Sequence, residues 1–169
     1  MLKKELVYQS RDKEIEVFED EFGSITLKEI PHEAAVMVAL ENDSLILISQ
    51  YRPAVDEVII QLPGGGMHVN EDPMSAAKRE LLEETGIVCG EAVFLGSIQP
   101  SACLSNVITH VYFTKEIVEY KSQLLETKEA TIQAFHIPVE RAFRNIEQGI
   151  WKDSEMAHGL LLARLKGFI

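Results

Sequence analysis

Residues 14–19, Glu-Ile-Glu-Val-Phe-Glu, interleave glutamates with apolar side chains and read as a strand with one buried face. Gly23-Ser24 marks a turn, and residues 24–30 continue as a second strand. Two apolar runs follow, 34–40 and 45–49, joined by Glu41-Asn42-Asp43-Ser44. Unbroken apolar runs of this length predict a hairpin buried on both faces. The period then changes. Asp72 can cap a helix that has Pro73 at its first position, and Gly86 stands where a left-handed residue would end it, about 13 residues on. On that helix Ala76, Ala77 and Leu81, with Ile87 just beyond, can face a core. Residues 92–99 and 108–113 read as strands around a loop at 100–106. A polar, charged stretch at 120–128 predicts a loop before another strand at 131–137.

The last third is helical. Val139, Ala142, Phe143 and Ile146 make a helical stripe over 139–148, with Gly149 to end it. Asp153 or Ser154 can cap a final helix through Lys166, with Met156, Leu160, Leu161 and Leu165 on its apolar face. The pattern holds no repeat, linker or low-complexity segment.

Composition narrows the function. The 169 residues suit one domain with a sizeable core, and 46% hydrophobic with 25% charged residues is ordinary for a globular chain. A net charge of −11 without a Lys/Arg cluster argues against nucleic-acid binding. The same charge would repel an anionic substrate unless cations are held at the site. Two cysteines, Cys89 and Cys103, make no disulfide framework and are expected to be small packing residues in a reducing compartment. No apolar run approaches the ~20 residues of a membrane span, so no membrane partner is expected. Met1-Leu2-Lys3-Lys4 is followed by Glu5, which is unlike a secretory signal, and a cytoplasmic location is expected.

The candidate chemistry lies on the Pro73 helix. Glu80, Glu83 and Glu84 stand at i, i+3 and i+4 and share one face, where like charges repel. A divalent cation would remove that repulsion, and hard cations such as Mg²⁺ take oxygen ligands while keeping positions for phosphates. The preceding Pro63-Gly64-Gly65-Gly66 lets backbone approach, so a carbonyl there is a further candidate ligand. Arg79 can pair with a neighbouring carboxylate and orient it. Arg52 is a candidate phosphate ligand, and Tyr51 can stack on a base or pack in the core. His68 reads as a surface histidine.

The full pattern is Gly65, five residues, Glu71, seven residues, then Arg79-Glu80-Leu81-Leu82-Glu83-Glu84-Thr85-Gly86-Ile87. It resembles a complete Nudix box, the signature of hydrolases acting on nucleoside diphosphates linked to another group. No specified position departs from it. Gln50-Tyr51-Arg52 followed by Gln61-Leu62-Pro63-Gly64-Gly65 is similar to a run in the subfamily that cleaves ADP-ribose and other nucleotide sugars. There Gln61 and Gly64 replace the usual Glu and Ala. Pro100, Ser101 and Ser105 match a second subfamily run, but Ala102-Cys103 replaces Pro-Gly. Asn106 and Val107 leave that region without the subfamily's acidic residue.

The resemblance implies an α/β fold: an α/β/α sandwich with a mixed sheet over residues 33–169, and a small antiparallel β extension over 1–32 that often builds a homodimer. It implies Mg²⁺ or Mn²⁺ held by Glu80, Glu83, Glu84 and the Gly64 carbonyl, with Arg79 orienting a glutamate and Glu71 supporting the loop or Arg79. It implies a general base just before the 131–137 strand, where Glu129 matches best and Glu126 is the fallback. Arg52, Tyr51, Gln61 and Ser101 become substrate-binding candidates. The expected reaction is hydrolysis of a nucleoside diphosphate sugar, ADP-ribose first, to AMP and ribose 5-phosphate. Dinucleoside polyphosphates or modified nucleotides are alternative substrates, and a non-catalytic nucleotide sensor is the alternative from another class.

Overall fold

A computed structural model describes residues 3–125 and 129–169. Strands β1 (Lys4–Gln9), β2 (Ile15–Asp20) and β3 (Ile25–Glu29) form an antiparallel sheet of their own. The next two, β4 (Glu33–Glu41) and β5 (Ser44–Arg52), pair across Asn42 and Asp43, whose φ values of 46° and 60° are those of a two-residue hairpin turn. β6 (Glu57–Gln61) folds back on β5, and β7 (Gly64–Gly66) on β4. The chain continues through α1 (Pro73–Thr85), β8 (Ile87–Cys89), β9 (Val93–Ile98), β10 (Ile108–Thr114), β11 (Ile117–Tyr120), β12 (Gln133–Pro138), α2 (Val139–Glu147) and α3 (Ser154–Leu165). The main sheet runs β12-β5-β4-β10-β9, with β10 parallel to β4 and its other neighbours antiparallel. It is the mixed sheet expected.

Strand alternation divides the interior into two layers. Val36, Val38, Leu45, Leu47, Val111 and Phe113 face one side, where Ala142 of α2 and Met156, Leu160 and Ala163 of α3 cover them. Ala35, Met37, Ala39, Ile46 and Tyr112 face the other side, against Ala76, Ala77 and Leu81 of α1. Helices therefore cover both faces, and β4 is apolar throughout its middle because neither face meets water. Each fully buried Leu, Ile or Met contributes about 1.5–3 kcal/mol to these layers.

Several elements depart from the sequence reading. All six residues of β1 are exposed, so no buried face marked it as a strand. Among the described residues, short β8 and β11 pair only with each other, and Tyr120 ends β11 rather than opening a loop. The glycines of β7 carry no side-chain period, yet they form ladder pairs with β4. On α3, Leu161 and Leu165 are exposed; the inward stripe continues through Gly159 and Ala163 instead. At Gly159 a Cβ would lie 2.8 Å from Leu62 Cδ1, so any larger residue there would have to displace that side chain. Cys103 is exposed and does not pack, since its loop runs over the surface. Cys89 is half-buried beside the α1 layer.

Candidate active site

The glycine segment is wedged between β4 and α1. Pro63 accepts from Met37 N at 2.9 Å, and Gly64, Gly65 and Gly66 then pair with Val36, Ala35 and Ala34. A Cβ on Gly64 would lie 2.5 Å from the Ala35 carbonyl oxygen, which is backbone and cannot yield. A Cβ on Gly65 would lie 2.8 Å from Glu80 Oε1, inside the carboxylate's contact distance. Glycine is required here for close approach rather than for unusual dihedrals.

α1 presents its carboxylates from a firmly ended helix. The Asp72 side chain accepts from Ser75 N at 3.0 Å, Pro73 occupies the first turn, and Gly86 closes the helix at φ 75° with its N–H on Leu82 O at 2.8 Å. The chain after β11 satisfies further carbonyls at that end. Leu124 N donates to Glu83 O at 2.9 Å, the Gln123 amide donates to Glu84 O, and Lys121 N donates to Gly86 O at 2.6 Å. Nothing in the hydrophobic pattern marks Gln123 for this contact.

Arg79 is the hub of the acidic face. Its Nε and Nη2 donate to the two oxygens of Glu71 at 2.8 and 2.9 Å. Its Nη1 reaches Glu80 Oε1 at 2.7 Å and Glu83 Oε2 at 2.9 Å, and Nη2 also reaches Gly66 O at 3.0 Å. Glu71 accepts from His68 N at 2.9 Å as well, so it supports both the loop and Arg79. The Arg79 hydrogen bonds hold the Glu71 carboxyl down to about 2. The Arg79 pKa is itself raised, chiefly by Glu71.

Glu80 and Glu84 behave differently. Both are buried, and Glu84 Oε2 accepts from Gly64 N at 2.7 Å. Burial pushes the Glu84 carboxyl up to about 8 against the pull of that N–H, with the charges of Glu80 and Glu129 adding to the rise. Burial also raises Glu80, outweighing Arg79. Two carboxylates in poor solvent, backed by a third at Glu83, are a set that a divalent cation would stabilise. Among the described residues, no three His, Cys, Asp or Glu side chains stand already gathered around an ion position. Arg79 occupies an oxygen of Glu80 and of Glu83, and Gly64 N–H occupies one of Glu84. The donors are all oxygen and the charge is under-compensated, so the residue types fit a hard cation.

A cavity of about 350 Å³ adjoins this face. Gly64, Gly65 and Gly66 form one wall, Arg52 and Ser101 line it, and β3–β4 contribute Glu29, Pro31, His32 and Glu33. Arg52 is steered by Gln61, whose Oε1 accepts from Arg52 Nε at 2.6 Å while its Nε2 donates to Asp153 Oδ2 at 3.0 Å. Gln61 thus stands behind Arg52 and off the cavity wall. The amide lets Gln61 accept from Arg52 and donate to Asp153 at once, which a carboxylate at 61 could not do. Tyr51 also lies off the wall: it is exposed, and its hydroxyl donates to Asp56 at 2.7 Å. Glu129 is near enough to Glu80 and Glu84 for its charge to act on both. Glu126 lies outside the described residues.

The expected lack of acid around the 100–106 loop is corrected by the fold. Glu29 accepts from Ser105 Oγ at 2.9 Å, Glu33 pairs with His110 Nε2 at 3.0 Å, and Glu155 accepts from Thr109 Oγ1 at 2.5 Å. All three carboxylates line the cavity. They come from distant segments, so only the closed sheet brings them together. Asn106, which replaces an acid in sequence, instead accepts from Glu29 N at 2.7 Å and ties the N-terminal sheet to the cavity.

A model of the NUDIX domain family matches residues 31–158. The chain is 26% identical over 149 residues to an ADP-ribose pyrophosphatase of Bacillus subtilis (strain 168), covering 85% of this chain and 80% of that one. It is 25% identical over 159 residues to a methanol dehydrogenase activator of Bacillus methanolicus, covering 91% and 86%. A crystal structure of an ADP compounds hydrolase superposes with a TM-score of 0.79 at 20% identity, covering 99% of this chain and 95% of the other, a likeness of fold. With the box intact and its carboxylates drawn inward around Arg79, the chain belongs to the NUDIX family and is a Nudix pyrophosphohydrolase, similar to its ADP-ribose pyrophosphatases.

Proposed function

We propose that this enzyme hydrolyses the diphosphate linkage of a nucleoside diphosphate sugar, with ADP-ribose as the leading substrate and AMP and ribose 5-phosphate as products. The observation that carries the reading is the buried Glu80–Glu84 pair directly beneath the glycine wall of a cavity that also holds Arg52. Glu80, Glu83, Glu84 and the Gly64 carbonyl would hold Mg²⁺ or Mn²⁺. Such an ion neutralises charge developing on the diphosphate and favours ionisation of an attacking water. Arg79 fixes the Glu80 and Glu83 carboxylates. Arg52, held by Gln61, binds a phosphate oxygen, and Ser101, which also lines the cavity, donates a hydrogen bond. Glu129 takes the proton from the water, with Glu126 as the second candidate.

The cavity carboxylates oppose any additional phosphate, which favours a nucleotide sugar over triphosphates and dinucleoside polyphosphates. The sequence similarity to an ADP-ribose pyrophosphatase supports the same choice. Phosphatase-coupled release of phosphate should be measured over ADP-ribose, other nucleotide sugars, dinucleoside polyphosphates and triphosphates. ADP-ribose should give the highest kcat/KM, and turnover should vanish when EDTA removes divalent ions. Preference for a triphosphate, or ligand binding with no turnover of any diphosphate, refutes the proposal.

We further infer a homodimer built through the N-terminal extension, residues 1–32, in the cytoplasm. None of the described helices is long and apolar enough to cross a membrane. Leu6, Tyr8, Ile15 and Phe22 are all more than 40% exposed, an unusual apolar load for a small sheet. Light scattering should give the dimer mass for the native chain and the monomer mass for a Leu6→Glu, Tyr8→Glu variant. A monomeric native chain overturns the inference.

A further inference from the structure

Arg52 and Glu155 line the same cavity as Gly64, whose N–H donates to Glu84 of the acidic face. Arg52 is tied through Gln61 to Asp153, two residues before Glu155 at the start of α3. A diphosphate bound at the acidic face and Arg52 would leave its attached group in the same cavity, part of whose wall is Glu155. There the wall is built rather than accidental. Thr109, fully buried on β10, donates its hydroxyl to Glu155 Oε1 at 2.5 Å. Asp153 caps α3 by accepting from Met156 N at 2.7 Å, which fixes the turn carrying Glu155. An acid serving only the N-terminus of α3 would be as effective in solvent and would need neither Thr109 nor partial burial.

A carboxylate accepts hydrogen bonds and donates none, so its complement is a group with two adjacent donors. It repels phosphate. The vicinal hydroxyls of a ribose are such a group, and acidic side chains hold ribose hydroxyls in this manner in dinucleotide sites.

We propose that Glu155 is a specificity-determining residue that accepts hydrogen bonds from the vicinal hydroxyls of a ribosyl group joined directly to the diphosphate. This rests on the nucleotide-sugar reading above. The hydroxyls can belong to the nucleoside ribose or to the terminal ribose, and three substrates separate the two. These are ADP-ribose, its analogue deoxygenated on the nucleoside ribose, and its analogue deoxygenated on the terminal ribose.

The native enzyme should discriminate against one of the two analogues by about 10- to 100-fold in kcat/KM, the value of a hydrogen bond to a charged group, with most of the change in KM. Glu155→Gln should reduce that one ratio to within about threefold while leaving the other unchanged. Glu155→Asp, which keeps the charge and shortens its reach, should give an intermediate ratio and serves if Glu155→Gln does not fold. Native turnover of all three substrates, with both ratios preserved in the variants, overturns the assignment of Glu155 alone. Native failure to hydrolyse any of the three overturns the nucleotide-sugar reading and this inference with it.

Discussion

Glu84→Gln should abolish hydrolysis and at the same time stabilise the metal-free protein. Glutamine keeps the shape and can still accept from Gly64 N, so the fold has no reason to change. Loss of one buried anionic ligand should lower kcat by about 10²–10³-fold or more, the usual cost of removing a group that stabilises charge in a transition state. The stability effect has the opposite sign. The Glu84 carboxyl is raised from 4.5 to about 8 in the folded state, chiefly by burial. A raised carboxyl favours the fold fully below its unfolded value, and that contribution is lost as pH climbs toward the folded value. At pH 7 the native chain is therefore penalised by up to about 3 kcal/mol, which the neutral amide escapes. Calorimetry in EDTA should show Glu84→Gln melting roughly 3–10 °C above the native chain at pH 7, with the gap closing by pH 4.5. Added Mg²⁺ should raise the native melting temperature and leave the variant nearly unmoved. Retention of hydrolysis within a few-fold would refute the role of Glu84.

Arg79→Met should be the most destabilising single change at the site. The guanidinium is partly buried and serves three carboxylates at once, from Glu71 on one side to Glu80 and Glu83 on the other. Methionine fills the volume and strands all three charges. Breaking a buried pair from one side costs about 3–5 kcal/mol, on the order of 10 °C in a chain of this size. The pH dependence identifies the cause. Glu71 has its carboxyl depressed from 4.5 to about 2 by Arg79, so its contribution is complete above 4.5 and disappears as pH falls through 2. The difference in unfolding free energy between native and Arg79→Met should shrink over that same window. A difference below about 1 kcal/mol at pH 7, or one indifferent to acid, would mean that the ion pairs are solvated and stabilise little. Activity should also fall, because Glu80 and Glu83 lose the group that orients them.

The two predictions bear on how much of this molecule can be read from its residues. α1 was legible in full, because cap, first-turn proline and terminal glycine are local devices that act wherever the chain goes. The β4–β5 hairpin was legible because its apolar runs have one plausible fate. The exposed β1 was not, because a strand without a buried face leaves no period. Within the site, the box predicts which glutamates gather, but not that Arg79 would depress Glu71 while Glu80 and Glu84 are raised. Burial decides that, and burial depends on β4 and β7 arriving above the helix. The acids at Glu29, Glu33 and Glu155 were invisible for the same reason. They are far apart in sequence, and each reads as a solvated charge until the sheet closes.

Because β3 and the residues leading into β4 supply part of the cavity wall, the N-terminal arm and the catalytic core cannot be exchanged as independent modules. A chimera joining the arm of a relative to this core would inherit a foreign rim at Glu29, Pro31 and His32 and should inherit substrate preference along with it. Selection on the arm is then selection on chemistry as much as on assembly, and drift there is bounded by what the pocket must hold.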